Sequence, residues 1–168
     1  MIPPIALNVG QVELWPYEPP RDAQAISRIV ARIWSGGADA LMEDRFGPIG
    51  GQPWDHWQSQ SILNYLAAPN CRAFVAVEWD EVIGFCSYVL EPDRRLGTVG
   101  YNGVDPDHQS RKIGSAMMTF VMDQFHKEKM QFAAVIVATN QQHAPARRVY
   151  EKHGFEPVMG LEYRVRKL

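Results

Sequence analysis

The sequence predicts a single α/β domain built on a mixed sheet, and three observations carry that prediction. Strand-like runs follow closely at residues 73–78, 82–90 and 96–104, the first two joined by a turn at Trp79-Asp80-Glu81, a pattern that fits a hairpin-rich antiparallel sheet. From Ile113 the period becomes helical, with Ile113, Met117, Phe120, Val121 and Phe125 on one face, and residues 133–138 then read as a buried strand. Strand, helix, strand in that order implies a parallel crossover. Finally, 168 residues with 46% hydrophobic content suit one domain with one core, and no repeat or low-complexity linker divides the chain.

The remaining elements follow from spacing. Residues 12–15 read as a first strand, and Asp22 can cap a helix in which Ile26, Ile29, Val30 and Ile33 follow helical periodicity until Gly36 and Gly37 stop it. Residues 35–53 read as a long irregular loop carrying Asp39, Glu43, Asp44, Phe46 and several glycines. Trp57, Ile62, Tyr65 and Leu66 then mark a second helix. Near the end, a short helix over residues 145–153 is closed by Gly154 as its C-terminal cap, and residues 161–165 read as a closing strand.

Composition excludes several classes of partner. The net charge of -2 and pI near 6.2 provide no global basic field, which argues against nucleic acid and against an anionic membrane. No run approaches the roughly 20 apolar residues of a membrane span, and the start of the chain lacks the basic and apolar blocks of a leader, so the expected location is the cytoplasm. Cys71 and Cys86 lack metal or redox spacing and are expected as free thiols, and no metal is implied.

The most informative segment runs Val104-Asp105-Pro106-Asp107-His108-Gln109-Ser110-Arg111-Lys112-Ile113-Gly114-Ser115-Ala116, leaving a strand and opening a helix. The first amides of a helix have no partner within it, and with the helix dipole they form a site for phosphate oxygens. Gly114 allows close approach of a ligand to the backbone, and Arg111 and Lys112 add positive charge. By itself the segment also fits an ordinary strand-to-helix turn with solvated basic residues. A second segment, Ala146-Arg147-Arg148-Val149-Tyr150-Glu151-Lys152-His153-Gly154-Phe155, follows downstream.

Together these segments resemble the two signatures of the GNAT family of N-acetyltransferases: the Q/R-x-x-G-x-G/A acyl-coenzyme A loop and the A-x-x-x-Y-E-K-x-G-F motif. Gln109 and Gly114 match the loop, while Lys112 stands where its first glycine would be. The resemblance implies a GNAT-like fold: a strand, two helices, a three-strand meander, the cradle helix, a strand, the tyrosine helix and a closing strand. The parallel strands at 96–104 and 133–138 would splay apart to admit the pantetheine arm, with Tyr101-Asn102-Gly103 as a bulge. It implies acetyl-coenzyme A as cosubstrate, contacted by Asn102, Val104, Gln109, Ser110, Arg111, Lys112, Ile113, Gly114, Ser115, Ala146 and either Asn140 or His143. Tyr150 would be the general acid toward the departing thiolate, a role its chemistry supports, since a phenol is protonated at neutral pH.

The activity so implied is acetyl transfer to a primary amine, on a small molecule or a peptide, by direct attack in a ternary complex. The family's carboxylate on the strand at 96–104 has no counterpart, because that run holds only Gly97, Thr98, Gly100, Tyr101, Asn102 and Gly103 as small or polar residues. Glu91, Asp93, Glu43 and Asp44 are the alternative bases, with Glu91 assigned first and a solvated surface charge the plainer reading of each; His108 lies in the phosphate turn. Trp54 and Trp57 with Asp39, Glu43 and Asp44 could hold a cationic or aromatic amine, or the tryptophans could complete the core or a homodimer contact. The rival from another class is a module that senses acyl-coenzyme A without catalysis.

Overall fold

A computed structural model describes residues 4–166. Strands β1 (Ile5–Ala6) and β2 (Glu13–Pro16) precede three helices, α1 (Pro19–Ile33), α2 (Ala38–Phe46) and α3 (Trp54–Leu66). The meander β3 (Cys71–Glu78), β4 (Glu81–Glu91) and β5 (Leu96–Val104) leads to α4 (Ile113–Lys127), β6 (Phe132–Val135) and α5 (Ala144–Lys152). The six strands lie in the sheet in chain order, antiparallel until β5 and β6, which run parallel through the α4 crossover. Parallel pairing stops at Val99 opposite Val135 although β5 continues to Val104, so the two strands part beyond that point. The class is the one predicted, and the splayed pair is present.

Helices cover both faces of the sheet. Ile26, Ile29 and Val30 of α1 pack with Ile62 and Leu66 of α3 over Val75 and Phe85 on one face. On the other, Ile113, Met117, Phe120, Val121 and Phe125 of α4 join Phe74, Cys86 and Tyr88. The predicted α4 stripe is therefore the buried one, and each such side chain removed from water contributes roughly 1.5–3 kcal/mol.

Several expectations need correction. Helix α1 begins at Pro19, ahead of Asp22, because Pro19 and Pro20 occupy first-turn positions where a missing N–H costs nothing. Asp22 instead lies buried inside that turn, accepting the Glu18 N–H at 2.8 Å and pairing with Arg21 at 2.6 Å. The loop at 35–53 contains α2, bounded by Gly37 and by Gly47 at φ 81°. An added strand, β1, pairs with β2, and the expected strand at 133–138 ends at Val135. Residues 161–165 keep their alternation but form no strand, and Leu161, Tyr163 and Val165 are exposed.

Candidate active site

The segment between β5 and α4 is braced from two sides. Arg32, in the last turn of α1, donates to Asp105 at 2.6 Å and to both oxygens of Asp107 at 3.0 Å. Buried Asp105 also accepts the Asp107 N–H at 3.1 Å. Across the turn, Arg111 makes a two-pronged pair with Glu78 at 2.6 and 2.8 Å, and the guanidinium holds the Glu78 carboxyl below the usual carboxylate range. The Arg111 side chain is thus committed to β3. This corrects the expectation that its charge faces an anion; its part is to fix the backbone.

That backbone is shaped as a concave nest. Ser110 and Lys112 both adopt left-handed conformations, φ 64° and 67°, on either side of Arg111. Alternating handedness of this kind turns successive N–H groups toward one point and makes an anion-binding hollow. Among the described residues, the amides of Ser110, Arg111, Lys112, Ile113, Gly114 and Ser115 donate to no protein acceptor. The Gln109 amide does not belong with them, since it donates to the Pro106 carbonyl at 3.3 Å, and its side chain donates to the Val104 carbonyl at 3.0 Å. Lys112 is exposed and, among the described residues, has no ion-pair partner. A Cβ added at Gly114 would come no nearer than 3.8 Å to Val104, so the helix start stays open. Free amides, a helix N-terminus and one uncommitted ammonium suit a diphosphate.

Tyr150 of α5 sits beside the part of β5 that has left β6. It is 7% exposed, and burial raises its hydroxyl above the ordinary phenol value, so it carries its proton at neutral pH. Asn102 on β5 donates to the Tyr150 oxygen at 2.9 Å. The phenol accepts that bond and keeps its own hydrogen for another partner. Asn102 was expected against the cofactor; the structure joins it to Tyr150 instead. The β-bulge lies beside it: Cys86 faces Asn102 and Tyr88 faces Val99, leaving Gly100 and Tyr101 opposite Ser87, one residue earlier than predicted.

The sequence Tyr150-Glu151-Lys152-His153-Gly154-Phe155 has a local physical purpose. Gly154 at φ 82° ends α5, its N–H bonds the Glu151 carbonyl at 3.0 Å, and the Phe155 N–H bonds the Tyr150 carbonyl at 3.1 Å. These are the two bonds of a Schellman cap. The Phe155 ring meets the Tyr150 ring edge-on at 5.9 Å. One turn earlier, Ala146 packs on the same core.

Other expected residues fall elsewhere or serve a structural purpose. Glu91 pairs with Arg94 at 2.9 Å and lies opposite Leu96, six positions before Asn102 on β5 and on the order of 20 Å away along the strand. The assignment of Glu91 as base is therefore corrected, because it stands at the wrong end of the sheet. Asn140 donates to the Gly36 carbonyl at 2.7 Å and bonds His143 through its oxygen, so the two alternatives form one network. Burial and then Arg147 lower the His143 pKa, leaving its ring neutral. The Arg32–Asp105 and Glu78–Arg111 braces carry no local signal in the sequence beyond two arginines next to predicted element ends. Among the described residues no cluster of His, Cys, Asp or Glu is arranged to hold a metal, and no helix is long and apolar enough to cross a membrane.

Comparison with known proteins places this geometry. Residues 38–155 match the model of the acetyltransferase (GNAT) family. A ribosomal-protein-alanine N-acetyltransferase from Brucella melitensis biovar Abortus 2308 is similar in fold, with a TM-score of 0.61 at 19% identity over 93% of this chain and 99% of that one. The ribosomal-protein-S18-alanine N-acetyltransferase from Escherichia coli has a TM-score of 0.64 at 18% identity, over 88% of this chain and 79% of that one. An aminoglycoside antibiotic 6′-N-acetyltransferase from Acinetobacter haemolyticus has a TM-score of 0.62 at 11% identity, over 92% and 98%. Among curated proteins none matches the sequence significantly.

Proposed function

The chain belongs to the GNAT family of acetyltransferases, and from that premise we propose that it is an acetyl-coenzyme A dependent N-acetyltransferase acting by direct attack of an amine. The observation that carries the reading is the run of unpartnered amides from Ser110 to Ser115 at the start of α4. These amides bind the diphosphate, with Lys112 beside them, and the divergence of β5 from β6 leaves room for the thioester arm. When bound, acetyl-coenzyme A supplies the activated acyl group. The amine attacks as its free base, the N–C bond forms, the C–S bond breaks, and Tyr150 passes its proton to sulfur. The proton shed by the newly acylated nitrogen leaves to solvent, from which the Tyr150 phenolate is reprotonated. Asn102 donates to the phenol oxygen, which leaves the hydroxyl hydrogen for the sulfur.

Tyr150→Phe tests the assignment, because it keeps the buried ring and removes only the proton. Turnover with an amine library is expected to fall by about 10²–10⁴-fold, with coenzyme A affinity by calorimetry changed less than about twofold. Unchanged turnover removes the acid role. Tight coenzyme A binding with no thiol release from any amine favours the sensor reading instead.

A further inference from the structure

A second feature lies between α2 and α3, away from the phosphate nest. Here Asp39, Met42, Glu43, Ile49, Trp54 and Trp57 line an open cavity of about 320 Å³. We propose that this cavity receives the acceptor, and that it takes a primary ammonium on a compact apolar or aromatic body, with Asp39 as the partner of the cation. The inference rests on the N-acetyltransferase reading and adds the substrate class.

The walls are apolar and held in place. The Trp57 indole N–H donates to the Ile49 carbonyl at 2.7 Å, and Gly50 lies under the ring, where an added Cβ would be 3.1 Å from it. Trp57 and Ile49 are 38% and 41% exposed, so part of this fixed surface faces solvent. The volume sits at the small end of ligand pockets and suits a phenyl-sized group better than an oligosaccharide or a folded peptide segment.

The two carboxylates differ. Glu43 accepts the backbone N–H of Trp54 and is occupied. Asp39 has no hydrogen-bond or ion-pair partner among the described residues, and partial burial raises its carboxyl above the ordinary range. A half-buried acid without a partner disfavours its own charge and gains most when a cation arrives. Tyr101, the β5 neighbour of Asn102, packs edge-on against Tyr65 of α3 at 5.1 Å and against Trp34 at 6.1 Å, and its hydroxyl is raised by burial and then by the charge of Asp39. Helix α3, which supplies Trp54 and Trp57 to the cavity, thus meets β5 one residue from Asn102, the partner of Tyr150. Two carboxylates at its rim would repel an amine that carries its own carboxylate.

Titration of tryptophan fluorescence on the full chain tests this, with phenethylamine, 2-phenylethanol and phenylalanine as probes and coenzyme A calorimetry on the same samples. Phenethylamine is expected to bind about tenfold more tightly than the alcohol or the amino acid. Asp39→Asn should abolish the preference for the amine over the alcohol, whereas Asp123→Asn, on the exposed face of α4, should keep it. Equal binding of amine and alcohol to the unaltered protein, or a preference that survives Asp39→Asn, overturns the proposal. Should Asp39→Asn lose its folded circular dichroism spectrum, the comparison of probes on the unaltered protein decides alone. Coenzyme A binding without amine preference overturns only the acceptor site; loss of coenzyme A binding overturns the transferase reading itself.

Discussion

Lys112 occupies a left-handed conformation, φ 67°, at the loop position where the family pattern has glycine. A non-glycine residue there costs about 1–2 kcal/mol, and the chain retains it in the middle of the nest. The lysine N–H is available as any other would be, and its side chain adds an ammonium that no carboxylate neutralises among the described residues. Lys112→Gly therefore trades relief of strain against about 0.4–1 kcal/mol of unfolded-state entropy, and the melting temperature is expected to change by less than about 3 °C. Coenzyme A affinity should nevertheless fall about threefold, the scale of an exposed ion pair, and the difference should shrink at high salt. Calorimetry at two ionic strengths checks both parts; an affinity deficit independent of salt would mean that the ammonium does not face the phosphates.

Helix ends and strand braces set the site's geometry more than any one side chain. The Schellman cap fixes Tyr150 through Gly154 at φ 82°, where an added Cβ meets nothing within 4 Å, so Gly154→Ala costs backbone conformation alone. About 1 kcal/mol, or roughly 2–4 °C in melting temperature, is expected, with turnover reduced while coenzyme A affinity holds. The brace between β3 and the nest predicts a pH dependence. Arg111 depresses the Glu78 carboxyl, so the pair's contribution is complete above the ordinary carboxylate value and is lost as pH falls through the lower folded value. Glu78→Gln should flatten the loss of stability below about pH 4, measured by urea unfolding across that range; identical slopes would remove the brace from the acid transition. Elements differ in how readily the sequence discloses them. The α4 stripe from Ile113 to Phe125 was legible because its burial follows helical spacing, and the nest and Tyr150 were legible because their signals are local. Helix α2 was hidden, since only Ala40 is buried along it and no apolar period develops. The braces join residues 33 and 73 positions apart, which no spacing rule reaches.

The whole molecule is a sheet covered on both faces, and Cys86 lies within it, 2% exposed on β4 directly opposite Asn102 on β5. Burial pushes its thiol up to about 12, so at neutral pH it is neutral and out of reach of alkylating reagents. Labelling of Cys86 requires β4 and β5 to come apart from each other or from α4, and those are the strands that hold Tyr150's partner and lead into the nest. If that opening is global, a ligand that binds only the folded chain slows labelling by the same factor by which it stabilises the fold. At a ligand concentration of about 100 times the dissociation constant this amounts to about 2.7 kcal/mol, or roughly 100-fold slower modification. Iodoacetamide labelling followed by mass spectrometry, with acetyl-coenzyme A present or absent, measures it; half-buried Cys71 serves as the internal comparison and should be slowed less. A rate at Cys86 that ignores the ligand would mean that β4 and β5 open locally while the nest stays formed, and that the sheet and the cofactor site are not one cooperative unit.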